Sequence, residues 1–224
     1  VTGKDTPRRV RTAAALTWVM APTGLLLVLA GLLELRWWST PSASRLVALL
    51  ASLKAEYGAA PPALLRGGRE GAVELVVLGV VCAACATLAP LVARGRRWAR
   101  TCVLAVGTGT FVLGLMGIGA DSWALQDREG YYHTLAQSTA GAHIPTIKAL
   151  FYADWYPWLE DIAQGAQVLA SLAVIVALAV AAMWHTDYFV AKRATEAAPT
   201  AWDDALARIR EQNSRERLGA RQPE

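Results

Sequence analysis

Four stretches of the chain carry no charged side chain for 19 to 23 residues: Thr12 to Leu33, Leu75 to Ala93, Thr101 to Ala120 and Ile162 to Trp184. At 1.5 Å of rise per residue, roughly 20 apolar residues cross a hydrocarbon core of about 30 Å. Four such runs in 224 residues are more than a soluble core requires, so the expected solvent is a lipid bilayer. The expected fold class is an all-α integral membrane protein, a four-transmembrane-helix bundle with two partly helical extracytoplasmic segments. The spans are placed at 12–35, 71–93, 101–120 and 158–184. Outer segments cover 36–70 and 121–157, an inner loop covers 94–100, and a basic amino terminus (1–11) and a soluble tail (185–224) flank the membrane domain.

Charge placement sets the expected orientation. The amino-terminal segment carries Lys4, Arg8, Arg9 and Arg11, the short connection between the second and third spans carries Arg94, Arg96, Arg97 and Arg100, and the tail begins with Lys192 and Arg193. Fifteen basic residues thus fall on the inner side and seven on the outer, the bias of a chain with both termini in the cytoplasm. A net charge of +4 does not point to nucleic acid, because the basic residues lie beside the spans. Arginine outnumbers lysine 18 to 4, as expected of a high-GC bacterium, and places the protein in a bacterial plasma membrane. Val1 reads as a GTG start translated literally. The first apolar run is longer than the 7–15 residues usual for a signal peptide and is expected to stay as an anchor.

Several local signals are explicit. Pro22 removes a donor inside the first span and predicts a bend near Trp18. Thr40-Pro41 predicts an N-cap and first helical position, with Leu46, Leu49, Leu50, Leu53 and Tyr57 at helical spacing before Gly58. That amphipathic helix is expected to lie on the outer membrane surface or to cap the bundle. Gly107 and Gly114, seven residues apart on the third span, predict a close helix contact, with Gly79 and Ala83 a weaker version on the second. The second outer segment is expected to hold short helices after Gly130 and from Pro145. Pro157, Glu160 and Asp161 mark the start of the fourth span.

The chemistry-bearing residues are few. Glu34 closes the first span, Glu74 opens the second, and Glu160, Gln164, Gln167 and Ser171 recur at helical spacing on the fourth. Polar groups facing lipid tails are costly, so this stripe should turn inward, where Glu74 could reach it and form an outward-facing polar site. Its competing reading is interhelical hydrogen bonding with carboxylates that snorkel to the headgroups. His133, His143 and His185 have no metal-ligand spacing, no G-x-S-x-G is present, and no cofactor is expected.

Cys82-Ala83-Ala84-Cys85 is similar to the C-x-x-C of four-span membrane oxidoreductases of the disulfide-forming and vitamin K epoxide reductase type, which place the pair near an outer edge beside further cysteines. Here the pair lies mid-span and the only other cysteine is Cys102, near the inner end of the third span. Thiols react as thiolates, a charged form that hydrocarbon disfavours, so packing is the expected role. Four-span claudins are similar in topology, but their outer cysteine pair has no counterpart here, and no family is assigned.

The favoured expectation is a non-enzymatic accessory or scaffold subunit that contacts lipid and a membrane-protein partner, or is homo-oligomeric through the third-span glycines. Its interaction surfaces would be Trp155 and Tyr156 in the second outer segment, and a Trp202, Leu206, Ile209 stripe in the tail. The alternative is a membrane-bound carrier or enzyme using the Glu74 and Glu160 rim.

Overall fold

The protein is all-helical in the computed structural model, which describes residues 7–62, 68–153 and 155–185 together with Leu206 and Arg208. The helices are α1 (Arg8–Trp38), α2 (Pro41–Tyr57), α3 (Glu70–Ala86), α4 (Ala89–Ala93), α5 (Arg97–Ala136), α6 (Ile144–Leu150) and α7 (Tyr156–Trp184), with a 3₁₀ turn at Thr139–His143. Four apolar units, α1, α3 with α4, α5 and α7, are long enough to cross a membrane, and the chain is a four-span helical membrane protein. In the tail, Leu206 and Arg208 are helical and exposed, whereas Trp202 and Ile209 lie outside the described residues.

The start and stop signals act as local chemistry requires. Thr40 accepts a hydrogen bond from the Ala43 amide at 3.4 Å, Pro41 occupies the first turn, and Gly58 ends α2 in the left-handed region with its N–H on the Lys54 carbonyl. Gly95, at φ 75°, turns the chain between α4 and α5 inside the arginine-rich connection. The second span is interrupted at Thr87–Leu88 and resumes as α4, where Pro90 sits in the first turn. Helix α1 runs as one helix from Arg8 to Trp38 with Pro22 inside it.

Helix α1 is central: α3 and α4 pack along one side of it, α7 along another, and α5 packs chiefly on α7. The α1–α3 contact brings backbone against backbone at its glycines. A β-carbon added at Gly24 would stand 2.5 Å from the Gly79 carbonyl oxygen, one at Gly79 would stand 2.5 Å from that of Gly24, and one at Gly31 would stand 2.7 Å from that of Ala72. Cys82 and Cys85 are buried free thiols on α3, and the Cys82 β-carbon lies 3.1 Å from where a Gly24 side chain would begin, consistent with a packing role. At the arginine end of the domain, the Arg9 guanidinium lies 4.2 Å from the Trp184 ring centroid and ties the start of α1 to the end of α7.

Helix α5 differs from expectation. It does not end near Ala120 but runs 40 residues, about 60 Å at 1.5 Å per residue. The expected short helix after Gly130 is its last turns, while the one expected from Pro145 is α6. Beyond the apolar stretch, α5 supplies Tyr131 and Leu135 to a second core with Leu46, Leu50 and Leu53 of α2, Ala140 and Ile147. The two segments between spans thus pack on each other as a cap, and the leucine stripe of α2 is buried by protein.

Candidate functional site

Two of the four spans meet through polar groups. On α7, Gln164, Gln167 and Ser171 are buried on one face, as their i, i+3, i+7 spacing requires. The Gln167 amide nitrogen donates to the Thr110 carbonyl oxygen at 3.0 Å and to the Ser171 hydroxyl at 2.9 Å, and the Thr110 and Ser171 hydroxyls share a hydrogen bond of 3.0 Å. One turn toward the cap, the Gln164 amide nitrogen donates to Asp121 Oδ2 at 2.7 Å and reaches Glu160 Oε1 at 3.4 Å. Gly114 lies beneath Gln167 and Gly117 beneath Gln164, so these α5 glycines leave room for amide side chains. Gly107 faces Ile175 of α7. The Gly107 and Gly114 face is therefore occupied within the chain, which removes it as the surface for self-association. Gly109 and Gly119 face open space.

The seam ends in a cluster of acids. Glu34 on α1, Asp121 on α5 and Glu160 on α7 converge closely enough for their charges to act on one another, with Asp161 beside them. Among the described residues, the donors hydrogen-bonded to Glu34, Asp121 and Glu160 are neutral. Trp38 Nε1 donates to Glu34 Oε1 at 3.3 Å, and the Tyr156 hydroxyl is 3.1 Å from the Ala30 carbonyl oxygen and 3.4 Å from Glu34 Oε2. Tyr152 sits over this group; burial, and then the charges of Glu34 and Glu160, push its phenol above its ordinary value, so it stays protonated.

Beside Glu34 lies a recess of about 220 Å³ lined by Leu33, Glu34, Arg36, Trp37, Tyr152 and Tyr156, among others. Its rings brace one another: Trp37 meets Tyr152 edge-on at 4.8 Å between centroids, and Tyr152 meets Tyr156 at 5.1 Å.

Of the residues singled out in sequence, Glu34, Glu160 and Gln164 come together, and Gln167 and Ser171 continue inward from them. Glu74 does not join them; it is exposed on α3, because the register that buries Ala72, Leu75 and Gly79 against α1 turns position 74 away. Trp155 is on the surface, 57% exposed, whereas Tyr156 is buried, its hydroxyl on the Ala30 carbonyl oxygen of α1. Asp121, Thr110 and Tyr152 escape sequence reasoning. Asp121 is the first charge after the third span, and that position beside Gly114 and Gly117 is the one signal that could have found it. Among the described residues no group of three or more histidine, cysteine, aspartate or glutamate side chains is arranged to hold a metal ion. Comparison with protein-family models, curated proteins and solved structures finds no match to this chain.

Proposed function

We propose that this four-span membrane protein is a non-enzymatic binding protein or carrier whose ligand site is the carboxylate cluster of Glu34, Asp121 and Glu160. The observation that carries this reading is the meeting of three acids from three separate helices with, among the described residues, only neutral donors hydrogen-bonded to them. Gathering like charges in a partly desolvated place costs free energy, and a bound cation offsets that cost. The proposed setting is a bacterial plasma membrane with both termini in the cytoplasm and the cap outside, supported by the excess of basic residues beside the arginine end.

Thermal melts of the full chain in mild detergent test the proposal. Titrating sodium, ethylammonium and choline should raise the melting temperature for at least one of them, and Glu160→Gln should lose that response. A parent protein indifferent to every cation, with Glu160→Gln more stable than the parent, would make the cluster a structural knot and remove the proposal.

A scaffold or accessory role has one observation in its favour: Trp123, 78% exposed, and Trp155 present aromatic surface near the cap. A stoichiometric partner that survives mild-detergent purification and is lost with Trp123→Ala would support that role instead.

A further inference from the structure

Resting on the cation site just described, we infer that the recess beside Glu34 receives the headgroup of a zwitterionic phospholipid, with its ammonium against Glu34 and the aromatic walls and its phosphate on Arg36. Three features of the recess point the same way. An ionised carboxylate offers about four lone-pair sites, whereas among the described residues Glu34 accepts two hydrogen bonds, both long at 3.3 and 3.4 Å, so it keeps accepting capacity toward the recess it lines. Trp37 and Tyr152, both half-buried, present aromatic surface beside that carboxylate, with Tyr156 packed behind Tyr152, an environment that attracts an ammonium through the ring quadrupole. Arg36 lines the same recess with an exposed side chain, and its guanidinium matches a phosphate while repelling a lone cation.

Glu34 and Arg36 both line the recess and so offer it an acid and a base, the charges of a phosphoethanolamine or phosphocholine group in reverse. The depth also fits. Glu34 lies in the last two turns of the first span, beside the Trp37 and Trp38 pair that suits the headgroup level, and Leu33 opens the recess toward apolar surface.

Two measurements test this together. In detergent, phosphoethanolamine should bind about tenfold more tightly than ethylammonium, the worth of one charge-assisted contact, and Arg36→Gln, at an exposed position that does not threaten the fold, should bring the two together. In nanodiscs of equal phosphatidylethanolamine and phosphatidylglycerol, native mass spectrometry should find the parent chain enriched in bound phosphatidylethanolamine, and Glu34→Gln should remove the enrichment. Equal binding of ethylammonium and phosphoethanolamine would overturn the headgroup assignment and leave the cation site standing. Binding of soluble phosphoethanolamine without lipid enrichment, or equal retention of both lipids, would overturn the lipid as its source. Failure of every cation to bind would take down the cation site itself.

Discussion

The α1–α3 and α5–α7 contacts both use glycine, for opposite ends. Between α1 and α3, Gly24, Gly31 and Gly79 let one backbone touch another, and what is gained is dispersion contact with no polar side chain involved. Between α5 and α7, Gly114 and Gly117 keep space for Gln167 and Gln164, whose amides then hydrogen-bond across the pair. Lipid tails are as apolar as leucine, so neither pair is driven together by a hydrophobic effect. Small-residue spacing within a span therefore marks a close neighbour without saying whether that neighbour is bare backbone or a polar side chain.

The sharpest way to break the comparison is to fill the bare contact. Gly79→Leu has no space to occupy and should cost at or above the roughly 3 kcal/mol upper range of overpacking, read as loss of folded protein in detergent and a large drop in melting temperature. Gly114→Ala intrudes on a side chain that can move, so its cost should be about 1–3 kcal/mol. Combining it with Gln167→Ala should recover part of that loss, with a coupling of about 1 kcal/mol; strictly additive effects would show that Gly114 does not serve Gln167. Ser171→Ala removes a shared hydroxyl contact and, at about 0.6 kcal/mol per hydrogen bond in membrane interiors, should cost roughly 1 kcal/mol in denaturant unfolding. Gly109→Ala, facing open space, should leave stability within about 0.5 kcal/mol or raise it by up to about 1 kcal/mol through helix propensity. A substantial loss there would reveal a neighbour on that side of α5.

What could be read from the residues alone follows the range of the physics involved. Span number, the Thr40 cap, the Gly58 stop and the Pro157 start depend on one stretch of chain at a time, and each is found where expected. Contacts between helices distant in sequence could not be read so. Gly24 and Gly31 carry no mark that distinguishes them from other small residues in an apolar span until Gly79 and Ala72 are set against them. Glu74 and Asp121 look equivalent in sequence, each an acid at a span end, yet the register of α3 turns one outward while that of α5 brings the other onto Gln164. The length of α5 was hidden because the charge-free run stops at Ala120, just before Asp121, and Gly130 suggests a fresh start beyond it. Packing of Tyr131 and Leu135 into the cap core outweighs those local preferences.

That unbroken α5 gives the molecule a mast roughly twice as long as the oily layer it crosses. It is rooted at the arginine turn and stayed mainly by one neighbouring span, α7. Over about 60 Å, a swing of about 10° at the root would carry the far tip by roughly 10 Å. Between root and tip the glutamine seam ties α5 to α7, so any such swing would have to work against those hydrogen bonds.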